Sequence, residues 1–296
     1  MKLNTFSSTN KKEQSSSSFL LHQPIHKSNR NNSPKKTPNS SNYNSNSIKC
    51  DKVEQIKKIK IKSRLALISL FHHAHDKYHT LTHLDISNNK IRKLPRDIFY
   101  NNLNLEFLDL SHNHLETLDD CFLKYQSKLK HLYVQHNKLT FIHPKCFLNC
   151  KSLSILKLYN NAIKELHEDI FIHNLELRIV FVYNNAIKNL PDRLFVKNKE
   201  LLEINFQKNR IYYIHPYLFN NNRKLKVISF ESNDIKCIDP ITFTFCPHIK
   251  WLDISHNKIS ELDKNTFTPL KKLTFLKKIF LFYDDRKVQK ILIILF

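Results

Sequence analysis

The sequence predicts an α/β solenoid, a right-handed coil whose parallel strands stack into one sheet while short helical or irregular segments return on the opposite side. Two observations lead to this prediction. From Leu81 onward the chain reads in register every 24 residues, for eight rows without a gap. Each row carries apolar residues and one asparagine at the same places. The rows begin at Leu81, Leu105, Leu129, Leu153, Leu177, Leu201, Leu225 and Ile249.

The apolar residues form columns when the rows are aligned. With each row numbered from 1 to 24, positions 4, 6, 11 and 14 are apolar throughout, as Leu84, Ile86, Ile91 and Leu94 are in the first row. The alternation at positions 4 and 6 predicts a short strand with one buried face. Stacking rows about 4.8 Å apart places each of these side chains over the next. Burying one such side chain stabilises a fold by about 1.5–3 kcal/mol, so we expect the columns to form the core.

Position 9 is asparagine in all eight rows. It lies where the chain turns away from the strand and exposes backbone groups. An asparagine amide offers two donors and an acceptor, so it can satisfy the backbone of its own turn and of the neighbouring row. We therefore predict a structural ladder of asparagines. Its members are Asn89, Asn113, Asn137, Asn161, Asn185, Asn209, Asn233 and Asn257.

Residues 81–272 resemble the 24-residue class of leucine-rich repeat, with the pattern L-x-x-L-x-L-x-x-N-x-I/L-x-x-L-P-x-x-x-F. The resemblance implies a curved solenoid with the sheet on its concave face, irregular or helical segments on its convex face, and a protein partner bound on the concave face. It implies no particular ligand. The Phe that ends the pattern is expected on the outer side, with Phe122 shifted by one place in the second row. The other rows supply Phe99, Phe147, Phe171, Phe195, Phe219, Phe243 and Phe267.

The composition excludes several kinds of site. The chain contains no glycine. P-loops, dinucleotide-binding fingerprints and nucleophile elbows each need a backbone that glycine readily supplies, so none of these is expected. For the same reason we expect every tight turn to be made by Asn, Asp, His or Pro.

The net charge is strongly positive, at +22. Residues 1–80 contribute half of this excess, so positive charge is denser there than in the repeats. One interpretation is attraction to nucleic acid or to an acidic membrane surface. The other is a coding bias toward lysine and asparagine, which the absence of glycine also indicates.

The six cysteines favour a reducing compartment, because we expect them to be small buried core residues with no cluster closing the end of the solenoid. Cys121 and Cys146 lie in adjacent rows and stay a conceivable pair. Residues 1–14 lack the apolar segment of a secretory signal, and no apolar run is long enough for a membrane span. The predicted location is the cytoplasm, in preference to the extracellular space.

The sequence outside the eight repeats is divided into three parts. Residues 1–55 are rich in Ser, Asn and Lys and are expected to be a disordered basic tail. Residues 56–80 are expected to cap the first repeat, with a strand around Ile59, because an open solenoid end exposes apolar side chains. Residues 273–296 are either a partial ninth repeat or a C-terminal cap. A run of histidines at residues 72–79 is interpreted as a polar loop rather than a metal site, because it lacks further ligands at a suitable spacing.

Positions 3, 5 and 7 of each row point away from the leucine columns, so they decide what the concave face can bind. Asp, Ser and His residues lie side by side in the first three rows, an arrangement that superficially resembles a hydrolase triad, but no oxyanion hole accompanies them. Aromatic and aliphatic residues follow in the middle rows, where they are expected to be exposed and to anchor a partner. The predicted partner-binding residues are Phe107, Tyr133, Ile155, Tyr159, Ile179, Phe181, Tyr183 and Trp251.

Together these features predict a non-enzymatic protein–protein interaction scaffold that binds another protein on its concave face. No cofactor, metal or small-molecule substrate is expected, and any polyanion contact through the tail is expected to be weak. Two alternatives stay open. In one, the basic tail tethers the chain to nucleic acid or to an acidic membrane; in the other, the chain is a fragment of a secreted or surface recognition receptor.

Overall fold

A computed structural model of the chain describes residues 58–61, 79–120 and 122–277. The predicted tail, most of the predicted N-terminal cap, Cys50, Cys121 and residues 278–296 lie outside the described residues. So do three of the four histidines in the run near residue 75. The assignments made for those segments therefore stay predictions.

Twelve short strands lie within the described residues, and ten of them form one parallel sheet. The ten follow the chain in the order β1-β2-β3-β5-β7-β8-β9-β10-β11-β12, while β4 and β6 form a separate pair. The strands are β1 Lys58–Lys60, β2 His83–Asp85, β3 Phe107–Asp109, β4 Thr117–Leu118, β5 His131–Tyr133, β6 Phe141–Ile142, β7 Ile155–Lys157, β8 Ile179–Phe181, β9 Glu203–Asn205, β10 Val227–Ser229, β11 Trp251–Asp253 and β12 Phe275–Lys277.

The register of the sheet is the 24-residue period of the sequence. Leu84 pairs with Leu108, and Leu108 pairs with Leu132. The return segments contain turns and no α-helix among the described residues. In the first repeat, for example, the amide of Ile98 donates to the carbonyl of Pro95 at 3.3 Å. The parallel-sheet solenoid is therefore confirmed, with the irregular form of its return segments.

The predicted columns form the core. The side chains at positions 4 and 6 are fully buried in all eight repeats. The phenylalanines at position 19 line the opposite wall of this core. Six of the first seven repeats carry one, and each of these six side chains is at most 1% exposed. Phe171 stacks between Phe147 and Phe195, with ring centroids 6.2 and 5.9 Å apart. In the second repeat the shifted Phe122 contacts Phe99 edge-on at 5.6 Å.

The asparagines at position 9 bond the backbone of adjacent repeats. The Nδ2 of Asn113 donates to the carbonyl of Leu110 in its own turn and to that of Ile86 in the preceding repeat, both at 3.0 Å. Its Oδ1 accepts from the amides of Asn89 and Ile91 at 2.9 and 3.0 Å. Each asparagine thus bonds the backbone of two repeats, because the turn leaves those groups without a strand partner.

A second ladder, which the sequence analysis did not predict, lies at position 22. Asn174, Asn198 and Asn222 are completely buried. The Nδ2 of Asn198 donates to the carbonyls of Phe171 and Asn174 at 3.0 and 2.8 Å. The pattern of Asn or Cys at this position was visible, but nothing in the sequence indicated that its amides bond the preceding repeat.

Both ends of the described sheet continue the repeat register. At the N-terminal end, Ile59 pairs with Leu84 in the neighbouring strand, and the Nδ2 of Asn89 donates to the carbonyl of Ile61 at 2.8 Å. Residues 58–61 therefore act as an additional strand within the segment predicted to be a cap. At the C-terminal end, Leu276 pairs with Leu252.

The turns correct one expectation. Position 8 adopts a positive φ, between 52° and 61°, in every repeat. Asn or His occupies six of these eight places, but Lys208 and Ser232 occupy the other two, and Lys90 at position 10 also has a positive φ of 56°. The expectation that only Asn, Asp, His or Pro would make the tight turns was therefore wrong. The bonds of the asparagine ladder hold the backbone in this conformation whichever side chain is present.

The cysteines agree with the expectation at three of four described positions. Cys146, Cys150 and Cys246 are buried free thiols, and Cys121, the conceivable partner of Cys146, lies outside the described residues. Burial raises the pKa of Cys150 and of Cys246 to about 12. Cys237 is exposed instead of buried, because position 13 lies on the surface of the turn.

Candidate functional site

The candidate site is the sheet face, which we define as positions 3, 5 and 7 of repeats one to eight, together with Lys60, Phe275 and Lys277 at its ends. All eight predicted partner-binding residues lie on it. Seven of them are partly exposed: Phe107, Tyr133, Ile155, Tyr159, Ile179, Tyr183 and Trp251.

Phe181 departs from the prediction because its side chain is only 9% exposed. It lies at position 5, between Lys157 and Asn205 in the neighbouring strands. Its ring centroid is 6.5 Å from that of Tyr183. The expectation that Phe181 is exposed was therefore wrong, and its role as a partner anchor stays a prediction. Neighbouring side chains on the sheet face bury it even though it points away from the core.

Aromatic rings pack against each other and against a cation in the centre of the sheet face. The rings of Tyr159 and Tyr183 stack with centroids 4.3 Å apart, and burial raises the pKa of both phenols. The ammonium of Lys157 lies 4.0 Å from the centroid of Tyr133, and burial lowers the pKa of this lysine. Because Lys157 already occupies the face of Tyr133, the tyrosine pair is the part of the cluster left to meet a partner.

The acidic and histidine residues of the first three repeats do not form a catalytic triad. The carboxylate of Asp109 accepts the amide of Ser111 at 2.8 Å, and that of Asp85 accepts the amide of Ser87 at 3.0 Å. These aspartates therefore cap the ends of their own strands. His83 contacts Thr82 through Nδ1 at 2.9 Å and stacks on a phenylalanine ring.

Charged groups at the C-terminal end of the sheet face are mostly paired. The ammonium of Lys277 lies 2.9 Å from the carboxylate of Glu231 and 3.2 Å from that of Asp253. Trp251 stacks on Phe275 with centroids 3.7 Å apart, so its ring is covered on one side.

Glu203 is the exception among these charges. It lies between Ile179 and Val227 in the sheet. Burial by these neighbours raises the pKa of its carboxyl group. Within the described residues it forms no hydrogen bond or ion pair.

The charge of the sheet face is opposite in sign to that of the chain. Lys157 is the one lysine or arginine at positions 3, 5 and 7 of the eight repeats, and these positions carry five acidic residues. All other lysines and arginines of the eight repeats lie outside positions 3, 5 and 7. The five acidic residues are Asp85, Asp109, Glu203, Glu231 and Asp253.

A group of exposed tyrosines away from the sheet face was missed by the sequence analysis. Tyr212, Tyr213 and Tyr217 are 48%, 42% and 49% exposed. They occupy positions 12, 13 and 17 of the sixth repeat, where the fourth repeat has lysine, glutamate and aspartate. That local change from charged to aromatic residues was the signal that could have revealed them.

Candidate metal sites and membrane-spanning helices are both absent from the described residues. No group of three or more metal-ligating side chains lies within residues 58–61, 79–120 and 122–277. Nor does this part of the chain contain a helix long and apolar enough to cross a membrane.

Solved structures similar to this chain contain leucine-rich repeats. A leucine-rich repeat protein from Leptospira interrogans is 24% identical over 66% of this chain and 48% of its own, with a TM-score of 0.60. The leucine-rich repeat domain of APL1B is 21% identical over 75% of this chain and 61% of its own, with a TM-score of 0.62. TLR13, solved in complex with ssRNA13, is 23% identical over 66% of this chain and 32% of its own, with a TM-score of 0.54.

These likenesses show the fold, and the chain aligns with between about a third and three fifths of each of those proteins. No curated protein matches it in sequence. The sequence profile described as Leucine rich repeat matches residues 79–125, 127–179 and 223–277, which together make up just over half of the chain. The chain therefore belongs to the leucine-rich repeat family.

Proposed function

We propose that the chain is a non-enzymatic interaction scaffold that binds another protein on its sheet face. The observation that carries this proposal is the tyrosine pair Tyr159 and Tyr183, stacked and partly exposed near the centre of the sheet. Ile155 and Ile179 lie on the same face four residues earlier in the same two repeats, and both are partly exposed. Tyrosines with an apolar surround, near the centre of a surface, are typical of the anchors of protein interfaces.

Glu203 indicates the chemistry of the partner. A carboxylate between apolar side chains costs free energy unless a cation approaches it, and none of the described residues supplies one. The partner that fits this surface presents apolar side chains to the tyrosine pair and one lysine or arginine to Glu203. A basic side chain also suits the net negative charge of the face, where Lys60 and Lys277 pair with three of the five acidic residues.

The free thiols support a reducing compartment, and we place the protein in the cytoplasm. Cys146 and Cys150 are both buried and unbridged although they belong to the same repeat. Extracellular proteins commonly use such cysteines in disulfides, whereas cytoplasmic ones keep them reduced.

Affinity capture with two matched double variants tests the binding proposal. Tyr159→Ala/Tyr183→Ala removes the pair on the sheet face, and Tyr212→Ala/Tyr213→Ala removes two exposed tyrosines elsewhere. For a partner captured by the native chain, the first variant is expected to lose about 2–4 kcal/mol of binding free energy, the size of central aromatic anchors. The second is expected to bind like the native chain.

Folding is checked separately by denaturant melts. Stacked aromatic pairs contribute about 0.5–1.5 kcal/mol beyond their burial, so the first variant is expected to stay folded with a modest loss of stability. If it is folded and binds with native affinity, the partner site is not the sheet face. Greater loss by the second variant would move the site to the exposed tyrosines of the sixth repeat.

A further inference from the structure

A dense group of basic residues in the described part of the chain lies along the side of the sheet where strands β9 to β12 begin. We call this the basic edge and define it as the four loops that lead into strands β9 to β12, namely residues 197–202, 221–226, 245–250 and 269–274. These loops carry eight lysines and arginines against one acidic residue, Glu200. The eight are Lys197, Lys199, Arg223, Lys224, Lys226, Lys250, Lys271 and Lys272.

Almost all of these cations are available to a ligand. Each of the eight residues is exposed. Lys224 contacts the carboxylate of Glu200 at 2.6 Å. The charged groups of the other seven form no hydrogen bond or ion pair with any described residue. Seven free cations on one edge repel each other, and that repulsion is relieved by an anionic partner.

The backbone of the sheet fixes the spacing of the edge. The carbonyl of Lys226 accepts the amides of Lys250 and Trp251 at 2.8 and 3.0 Å. The carbonyl of Lys250 accepts the amides of Thr274 and Phe275 at 2.9 and 3.0 Å. Successive loops are therefore one strand spacing apart, and the four of them span about 15 Å at about 4.8 Å per row.

A coding bias toward lysine does not account for this distribution. The four equivalent loops of the first half, residues 101–106, 125–130, 149–154 and 173–178, carry four basic and two acidic residues. Two of those four cations are already bonded, Lys128 to the Oδ1 of Asn104 at 2.7 Å and Lys130 to Glu106 at 2.9 Å. The same structural positions are therefore strongly basic in one half of the solenoid and close to neutral in the other.

We propose that the basic edge binds the phosphate backbone of double-stranded nucleic acid, without reading its sequence. A duplex carries one charge per about 1.7 Å of axis when both strands are counted, so a segment as long as this edge holds about nine phosphates, and those on the side nearest the protein meet the edge. None of the large hydrophobic side chains that are exposed in the described residues belongs to these four loops. Insertion into a membrane or stacking on the bases of a single strand would use exposed apolar or aromatic side chains there.

The inference does not depend on the sheet face. The basic edge and the sheet face carry opposite charge and present different residues. A variant of one can therefore be assayed without altering the other, and failure of one proposal leaves the other standing.

Charge reversal in the full-length chain tests the proposal. The edge variant Arg223→Glu/Lys226→Glu/Lys250→Glu is compared with the control Lys138→Glu/Lys164→Glu/Lys188→Glu. The control residues are exposed lysines in the turns that follow strands β5, β7 and β8. Both variants lower the net charge equally and retain the tail, so they differ only in where the charge is reversed. The probes are two labelled 20-base-pair DNA duplexes of unrelated sequence, with binding followed by fluorescence anisotropy at several salt concentrations.

The edge variant is expected to bind both duplexes at least ten-fold more weakly than the native chain, and the control less than three-fold more weakly. Losing three phosphate contacts is expected to reduce the slope of log K against log salt by about 2.7. Equal losses by the two variants, or an unchanged slope, would overturn the proposal and assign polyanion binding to charge elsewhere. So would a strong preference for one duplex, which backbone contacts cannot produce.

A second probe separates nucleic acid from an anionic lipid surface. Vesicles of phosphatidylserine and phosphatidylcholine are mixed with the same three proteins. Weaker binding to vesicles than to duplex at equal charge concentration is the expected result. Tighter binding to vesicles that only the edge variant loses would overturn the nucleic-acid assignment. Thermal melts followed by circular dichroism are expected to show all three proteins folded, because none of the replaced side chains bonds another described residue.

Discussion

The lack of glycine has its clearest cost in backbone strain at position 8 of each repeat. A left-handed backbone conformation costs an L-residue with a β-carbon about 1–2 kcal/mol, and glycine avoids this cost. Asn and His, which adopt the conformation more readily than most residues, fill most of the eight places. Lys208, with a φ of 52°, has no such tendency, so the turn imposes its conformation.

Lys208→Gly is therefore expected to raise the free energy of unfolding by about 0.5–1 kcal/mol, the net of relieved backbone strain and the greater entropy of unfolded glycine. Lys208→Val is expected to lower it, because β-branching disfavours a positive φ. Urea denaturation measures both. The control is Lys188→Gly, an exposed position outside the set with positive φ, where glycine is expected to destabilise. A loss of stability in Lys208→Gly as large as in the control would contradict the strain argument.

Asn161 shows what the ladder contributes at one residue. Its Nδ2 donates to Val134 and Leu158 at 3.1 and 2.9 Å, and its Oδ1 accepts the amide of Leu139 at 3.0 Å. Asn161→Ala leaves these backbone groups unpaired and is expected to cost about 1–3 kcal/mol of unfolding free energy in denaturant melts. Asn189→Ala, at an exposed position, is the matched control and is expected to change stability by less than about 0.5 kcal/mol. Equal effects in the two variants would mean that the ladder does not stabilise the turn.

At the scale of a structural element, position 8 forms a column of polar side chains. This column lies just after the ends of the strands, whereas the basic edge lies before their beginnings. His112 stacks on His136 with ring centroids 4.1 Å apart, and Asn160 lies within 3.2 Å of the His136 ring nitrogens. The Nδ2 of Asn184 continues the column to the Oδ1 of Asn160 at 2.6 Å. Burial, and then the neighbouring His112, lowers the pKa of His136.

This column makes stability depend on pH. Because the pKa of His136 is lower in the folded state than the unfolded value of 6.5, the unfolded chain binds the proton more readily. The stability that the neutral His136 ring contributes is complete above pH 6.5 and is lost as the pH falls below that value. Burial also lowers the pKa of His83 and His131, which adds to the loss, whereas the raised pKa of Glu203 acts in the opposite direction.

His136→Asn is therefore expected to flatten the fall in unfolding free energy between pH 7.5 and 5.5. Asparagine already occupies the same position, with a positive φ, in the next two repeats, so the backbone is expected to be preserved. His173→Asn, at an exposed position, is the control. Urea melts at a series of pH values measure both, and identical profiles for the two variants would contradict this account.

The strands and the core could be predicted from the sequence because a period of 24 fixes both the register and the side that each residue faces. Leu84 over Leu108 follows directly from the spacing. Details that depend on lateral crowding could not be predicted. Phe181 was expected to be exposed because position 5 points outward, yet its neighbours on the sheet bury it. Alternation states the direction of a side chain, and burial also depends on the size of the side chains beside it.

The asparagines illustrate the same limit. At position 9 the invariant residue and the expected turn together indicated a hydrogen-bonding role. At position 22 the mixture of Asn, Cys, Gln and Leu concealed a second ladder, because Cys246 replaces an amide by bonding the carbonyls of Phe219 and Asn222 through its sulfur at 3.6 Å. The group that bonds differs while the backbone acceptors stay the same, so the residue types alone did not reveal the role.

At the scale of the whole described solenoid, charge and aromatic residues are segregated by surface. The sheet face carries five acidic residues, three lysines and the stacked tyrosine pair, whereas the basic edge carries eight cations and one acid. One chain can therefore offer an apolar, acidic surface to a protein and a basic surface to a polyanion. The proposed protein partner and the proposed polyanion would therefore occupy separate surfaces.

Hydroxyl-radical footprinting of the tyrosines tests whether a partner covers the sheet face. In the free chain, five tyrosines are accessible enough to be oxidised. Two lie on the sheet face, Tyr159 and Tyr183, and three lie away from it, Tyr212, Tyr213 and Tyr217. With a captured protein partner bound, we expect oxidation of Tyr159 and Tyr183 to fall several-fold and that of the three exposed tyrosines to stay unchanged. Protection of Tyr212, Tyr213 and Tyr217 with full oxidation of the stacked pair would contradict the claim.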